Sequence, residues 1–251
     1  MTRITLLLAL FATALLSCSE PEVRRVNPQL LQEAERAMLQ GNWDRAAQQY
    51  EQFLSENPGD PQRIEVRTQI GKCRLGGGRP ELAIRAFDQA LTEGPASPLR
   101  WEILFRRAVA YRMMGDAAKA VEGFRAVLHA PSSERGRTVT NDELHFEYAT
   151  ALFRTGDFRA GQAELKLVNP AGPYEKQLAP RLGLTGYTIQ VGAYSEQAAN
   201  LEAAKLPGSR VRQTSGTLFS VQVGSFARYD EAQRELAKLQ RQGYTEAFIL
   251  P

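Results

Sequence analysis

The stretch Tyr187–Pro251 contains one sequence unit twice, and this duplication restricts the possible fold more than any other feature of the chain. Tyr187–Tyr194 reads YTIQVGAY, and Phe219–Phe226, 32 residues later, reads FSVQVGSF. In both copies polar residues alternate with β-branched or aromatic ones. A period of two predicts a strand with one buried face. The duplication therefore predicts two equivalent strands.

A segment with helical spacing of apolar residues follows each of these strands. The two predicted helices are Ser195–Leu206 and Tyr229–Gln242. Two further predicted strands, Arg210–Thr214 and Thr245–Leu250, complete the order β-α-β-β-α-β. In such a split βαβ arrangement we expect both helices to cover the same face of the sheet, which leaves the other face open.

The open face is the candidate binding surface. The alternation assigns the following residues to it: Thr188, Gln190, Arg210, Arg212, Leu218, Ser220, Gln222, Glu246 and Phe248. Amides, hydroxyls and guanidinium groups beside an apolar platform suit a neutral, polyhydroxylated chain. Hydrogen bonds to such a chain are individually weak, so several are needed.

The motifs QVGAY and QVGSF, followed by EAQRELAKL and Gly-Tyr, resemble the SPOR domain over nearly its whole length. The resemblance implies a small ferredoxin-like or RNP-like βαββαβ fold. It also implies binding to bacterial peptidoglycan, in particular to glycan strands that have lost their stem peptides and are enriched at division septa.

The resemblance also implies site residues. The first-strand glutamine of the family matches Gln190, and its apolar glycan-facing residue on the last strand matches Phe248. At two other family positions this chain carries Ala193 instead of a small polar residue and Leu218 instead of an aromatic one. The predicted glycan contacts are Gln190, Arg212, Leu218, Ser220, Gln222 and Phe248.

The N terminus is typical of an export signal. Residues 1–17 begin with a basic residue, continue with an apolar run and end with a small residue before Cys18. Leu-Leu-Ser-Cys resembles a bacterial lipobox, which implies cleavage before Cys18 and acylation of this cysteine. Two or more acyl chains hold a protein stably on a membrane. We therefore expect a lipid-anchored periplasmic protein, and Ser19 favours the outer membrane. The alternative is an ordinary exported protein with a free cysteine.

After a polar tether at 18–27, the region 28–170 is helical and repetitive. Four segments carry a small residue followed four positions later by a large one: Ala46 with Tyr50, Ala83 with Phe87, Ala120 with Phe124, and Gly161 with Leu165. The preceding helices carry matching small residues: Ala34, Gly71, Ala108 and Ala149. Such pairs let two antiparallel helices approach closely. The pattern resembles tetratricopeptide repeats.

That resemblance implies a superhelical α-α solenoid of about four repeats. Its concave face would bind a protein segment or serve only as a spacer. The segment 171–186 is rich in proline and glycine and predicts a hinge, with a short capping helix over Tyr174–Leu178. The predicted fold class is therefore a TPR-like solenoid followed by the small βαββαβ domain at 187–251.

Composition and motifs argue against other functions. The net charge of +3 gives no strong electrostatic footprint for nucleic acid. The βαββαβ order also occurs in RNA-binding sheets, but paired aromatics for base stacking are not on the open face. Cys73 is expected to be a small buried residue. The sequence offers no set of metal ligands and no sign of a cofactor.

The sequence also lacks a catalytic constellation. His129 and His145 lie in or near separate repeat helices, without a nucleophile or paired carboxylate at suitable spacing. The triple glycine at 76–78 follows a predicted helix rather than a strand, so it indicates a turn and not a phosphate cradle. We expect a non-enzymatic adaptor that binds peptidoglycan and an unknown protein partner, in cell division or wall remodelling. The alternatives are an assembly scaffold whose sheet only sets its location, and an enzyme with an unrecognised site in the array.

Overall fold

The computed structural model describes most of the chain. The described residues are 28–131, 133–135, 139–214 and 216–250. The predicted export signal, the lipidation site Cys18 and the tether at 18–27 lie outside the described residues. In the part that is described, no helix combines the length and the apolar character needed to cross a lipid bilayer.

The N-terminal part of the described chain, residues 28–165, consists of helical hairpins that pack one after another. The paired helices are α1 Pro28–Leu39 and α2 Trp43–Glu56, α3 Arg63–Gly76 and α4 Pro80–Glu93, α5 Arg100–Met114 and α6 Ala117–Leu128, and α7 Asn141–Thr155 and α8 Phe158–Leu165. Each helix packs mainly against its neighbours in sequence. This is the geometry of a helical repeat array.

Turn chemistry fixes the hairpins of the third and fourth repeats. Gly115 ends α5 with a φ of 86°, a left-handed conformation that favours glycine. Asp116 then caps α6, because its Oδ1 accepts a hydrogen bond from the backbone N–H of Lys119 at 3.1 Å. Gly156 and Asp157 repeat this arrangement between α7 and α8. The Gly-Asp pairs therefore end one helix and start the next.

Small residues allow the helices of the array to approach closely. Ala46, Ala83 and Ala120 are fully buried, as the repeat pattern predicts. A Cβ atom on Gly71 would overlap with the ring of Phe87, which is itself fully buried. The close helix crossing therefore depends on the absence of a side chain at Gly71.

The segment between the array and the sheet is packed, so the predicted hinge is wrong. Helix α9 (Glu175–Leu182) includes part of the predicted capping helix and follows the last repeat. Leu178 and Leu184 are buried, and the Tyr174 ring stacks on Phe146 with a centroid distance of 4.3 Å. The apolar residues of this segment fill the exposed end of the array, and their burial outweighs the freedom that proline and glycine suggest.

The C-terminal part folds into the predicted βαββαβ unit. Its elements are β1 Tyr187–Tyr194, α10 Glu196–Ala203, β2 Ser209–Gln213, β3 Phe219–Phe226, α11 Tyr229–Arg241 and β4 Phe248–Leu250. The strand order is β2-β3-β1-β4, and all neighbouring strands are antiparallel. Both helices contribute to a core beneath one face of the sheet, where Ile189 and Val221 are fully buried. The predicted fold class, a solenoid followed by this unit, is confirmed.

Two elements are shorter than predicted. Helix α10 ends at Ala203, and the chain then turns so that Leu206 enters the core while Leu201 stays exposed. Strand β4 begins only at Phe248, because a turn precedes it in which the N–H of Ala247 donates to the carbonyl of Tyr244 at 3.1 Å.

Candidate functional site

The register of the sheet aligns four residues across its open face. Arg210 pairs with Gln222, Gln222 with Gln190, and Gln190 with Phe248. Directly paired residues of antiparallel strands lie on the same face. With neighbouring strands about 4.8 Å apart, this cross-strand row of Arg210, Gln222, Gln190 and Phe248 spans about 14 Å.

The cross-strand row is accessible on the side that the helices leave uncovered. Arg210 is exposed, Gln190 and Gln222 are partly exposed, and 47% of Phe248 is exposed. The row therefore begins with a cation at one edge of the sheet, continues with two amides and ends with an aromatic ring at the other edge. A ligand that crossed the strands would meet all three chemistries.

A second row starts at Arg212, which pairs with Ser220, and Ser220 pairs with Ala193. The expectation that Ser220 displays its hydroxyl is wrong, because the residue is 0% exposed. Its Oγ donates to the carbonyl of Arg212 at 3.2 Å. Ser220 thus supports the β2–β3 pairing, whereas the Arg212 side chain remains exposed.

Leu218 lies just before β3, and 46% of it is exposed. Its carbonyl accepts hydrogen bonds from the N–H of Thr214 at 2.9 Å and from the Thr214 hydroxyl at 3.0 Å. The neighbouring Phe219 is partly buried against the core on the helix side, as the alternation predicts. An apolar side chain therefore flanks the open face at the β2–β3 hairpin.

The glycines of the duplicated motif have a packing role. A Cβ atom on Gly192 would overlap with the ring of Tyr194, and one on Gly224 would overlap with the ring of Phe226. Gly224 also has a φ of 72°, which favours glycine. In both copies the glycine thus makes room for the aromatic residue two positions later. The glutamine two positions before each glycine, Gln190 or Gln222, faces the open side of the sheet.

Sequence reasoning missed a groove at the Arg end of the open face. Thr188, Arg210, Arg212 and Gln222 line it on the side of the sheet, residues 183–186 line it as a wall on the side of the preceding segment, and its volume is about 270 Å³. The available signal was apolar character, because Leu184 lies within this segment and Tyr187 directly follows it, and a mobile hinge would not be expected to bury them. Thr188 uses its hydroxyl internally, donating to the Gly224 carbonyl at 2.9 Å.

The array carries a separate groove between α1 and α3. It has a volume of about 560 Å³, and Leu31, Met38 and Leu39 line it together with Glu35 and Glu65. Leu39 is 89% exposed. The groove thus combines apolar side chains with negative charge, which is a suitable surface for a protein segment.

Cys73 and His145 occupy packed positions in the array. The thiol of Cys73 is fully buried, and burial raises its pKa to about 11, so it stays protonated. His145 Nδ1 lies 2.6 Å from Glu164 Oε2, a contact that links α7 to α8. Within the described ranges no group of three or more His, Cys, Asp or Glu residues could hold a metal ion.

Comparison with family models identifies both parts of the chain. Residues 183–251 match the SPOR domain, and residues 30–60 and 68–134 match tetratricopeptide repeat models. The chain therefore carries tetratricopeptide repeats followed by a C-terminal SPOR domain, as the motifs predict. It combines a peptidoglycan-binding type of domain with a repeat that mediates protein interactions, and the SPOR domain indicates a cell-envelope protein.

Several known structures and proteins each resemble a part of the chain. A crystal structure of a MamA protein has a TM-score of 0.50 at 16% identity and covers 62% of this chain and 79% of that one. A MamA RS-1 double mutant has a TM-score of 0.51 at 15% identity, with 62% and 80% covered. At such identities the likeness concerns the fold alone. The FK506-binding protein-like protein of Mus musculus is 33% identical over 78 residues, which are 31% of this chain and only 22% of that relative.

Proposed function

We propose that this protein binds the glycan strands of peptidoglycan through the open face of its SPOR domain, with a preference for strands that have lost their stem peptides. The array recruits a protein partner to the same place, and the protein acts in cell division or wall remodelling. It is an adaptor and not an enzyme. The alignment of Gln190 and Gln222 with Phe248 in one cross-strand row carries this proposal.

The chemistry of the row suits a sugar chain. Each amide offers two N–H donors and one carbonyl acceptor, which match hydroxyl and acetamido groups. The exposed ring of Phe248 offers an apolar surface to the less polar face of a sugar. Because each neutral hydrogen bond contributes about 0.5 to 1.5 kcal/mol, affinity depends on several contacts and on repeated engagement along one strand.

The cellular location that we propose rests on the sequence of residues 1–18. An apolar run followed by Leu-Leu-Ser-Cys favours export and acylation at Cys18. The protein would then be a lipid-anchored periplasmic protein that is enriched at the septum. Ser19, which follows the acylated cysteine, favours anchoring in the outer membrane. The groove between α1 and α3 also suits the alternative in which the array is the main activity and the SPOR domain only sets the location.

Replacement of Gln190 by alanine is expected to weaken binding to denuded strands by up to about ten-fold, because the loss of one neutral hydrogen bond costs about 0.5 to 1.5 kcal/mol. The measurement is a titration of soluble denuded strands with residues 19–251. Gln240→Ala is the matched control, since Gln240 is an exposed residue of α11 on the other side of the sheet. Equal affinities of the Gln190→Ala variant and the unmodified protein would place the site elsewhere.

A further inference from the structure

Two guanidinium groups on the open face have no carboxylate partner within the described part of the chain. Arg210 and Arg212 are two residues apart on β2, on the same face, and both are exposed. Several other arginines pair closely with acids, for example Arg107 with Asp88 at 2.6 Å and Arg228 with Asp230 at 2.9 Å. The two positive charges of β2 are therefore available to a ligand.

These charges lie in a formed groove. The array fixes the wall at 183–186 in place. Gln162 Nε2 of α8 donates a hydrogen bond to the carbonyl of Leu184 at 2.8 Å, and the Leu184 side chain is buried. Gly186 lies against the β3 backbone, where an added Cβ would come within 3.1 Å of the Phe226 carbonyl oxygen. The groove thus has a fixed wall opposite the two arginines.

The groove is located at one end of the cross-strand row. Arg210 is its first member, and Gln222, Gln190 and Phe248 follow toward β4. The exposed acid Glu246 precedes β4 and so lies toward the opposite edge of the sheet. The open face therefore has a cationic edge and an apolar edge. A ligand with sugar rings and an anionic substituent would fit this polarity better than a neutral one.

Removal of the stem peptide creates such a substituent. In an intact strand the lactyl carboxyl of each muramic residue is bonded to the peptide as a neutral amide. Hydrolysis of this amide releases the peptide amine and leaves a carboxylate on the sugar. We propose that Arg210 and Arg212 bind this lactyl carboxylate, and that its charge makes the domain prefer denuded strands. This inference rests on the proposed function.

The geometry of a guanidinium group suits this task. It is planar and can donate two parallel hydrogen bonds to one carboxylate. Exposed ion pairs are weak individually, so we expect the two arginines together to contribute about ten-fold in affinity at low salt. Salt should reduce this contribution, because it screens exposed charges.

The test compares two ligands that carry the same sugar chain and differ at the lactyl group, which is charged in one and neutral in the other. One is denuded strands with free lactyl carboxylates, and the other is the same strands after carbodiimide coupling of these carboxylates to methylamine. We expect residues 19–251 to bind the free acid about ten-fold more tightly than the methylamide. The Arg210→Gln/Arg212→Gln variant should bind both ligands equally, at the affinity of the unmodified protein for the methylamide.

Arg234→Gln/Arg241→Gln is the matched control, because it removes two charges from exposed residues of α11. It should keep the ten-fold preference. Equal binding of the two ligands by the unmodified protein, or a preference that survives in the Arg210→Gln/Arg212→Gln variant, overturns the inference. If binding is equal but still depends on Gln190, only this inference fails. If the unmodified protein binds neither ligand, the proposed function fails with it.

Discussion

Replacement of Phe87 by alanine is expected to lower the free energy of unfolding by about 3 to 5 kcal/mol. The ring is 0% exposed and fills the crossing between α3 and α4, where Gly71 faces it. Truncation removes a buried aromatic surface and leaves a cavity that the stacked helices cannot close. Urea unfolding of residues 19–251, followed by circular dichroism, measures this loss.

The same crossing gives a more specific prediction for Gly71→Ala. In the unmodified protein the new methyl group would overlap with the Phe87 ring, which should cost about 1 to 3 kcal/mol. In the Phe87→Ala background the overlap is gone, and the higher helix propensity of alanine should stabilise the protein by up to about 1 kcal/mol. Gly59→Ala is the control, because a Cβ there meets no atom within 4 Å. A Gly71→Ala effect of the same size in both backgrounds would contradict this description of the crossing.

Replacement of Tyr187 by alanine is expected to lower the free energy of unfolding by about 3 kcal/mol. Tyr187 begins β1, yet its ring packs against Phe158 of α8 and Tyr229 of α11, with centroid distances of 5.7 Å and 5.3 Å. Burial raises the pKa of its hydroxyl to about 12. The ring therefore joins the array to the sheet, and its loss should destabilise both.

Tyr187→Phe is the control for this junction. It keeps the ring, which makes the contacts with Phe158 and Tyr229, and removes only the hydroxyl, so the change should be within about 0.5 kcal/mol. Chemical unfolding monitored separately by a label on α2 and by a label on α11 measures both units. If Tyr187→Ala destabilises neither unit by more than about 1 kcal/mol, the array and the sheet fold independently.

This junction has a consequence for the proposed binding face. The aromatic cluster around Tyr187 also includes Phe153 and Leu184, and Arg154 stacks over the Tyr229 ring at 4.7 Å. The segment that walls the arginine groove is part of the same cluster. These contacts therefore tie the SPOR domain to the last repeat of the array.

Local patterns predicted much of this fold. Alternation in the duplicated motif identified β1 and β3 and the two faces of the sheet, because a strand exposes alternate residues whatever surrounds it. The small residues of the array identified the helix crossings for a similar reason, since close approach needs a small side chain. The resemblance to two known families supplied the rest of the architecture.

Contacts between distant segments could not be predicted in this way. The hinge prediction failed because the proline and glycine content of 171–186 is local, whereas the buried surface that receives Tyr174 and Leu178 belongs to the last repeat. Ser220 has the right alternation for the open face but is covered there, and its hydroxyl is taken by the neighbouring strand. The groove beside Arg210 could not be predicted either. Residues 183–186 form its wall, and the sequence placed them in a hinge.

The measurement that tests the central claim most directly is cosedimentation of residues 19–251 with purified sacculi, either intact or treated with an amidase that removes the stem peptides. We expect more protein in the pellet with the denuded sacculi, and less with denuded sacculi when Gln190 is replaced by alanine. Absence of the protein from both pellets would contradict the claim that the open face binds peptidoglycan, and the protein would then have to be understood through its repeat array alone.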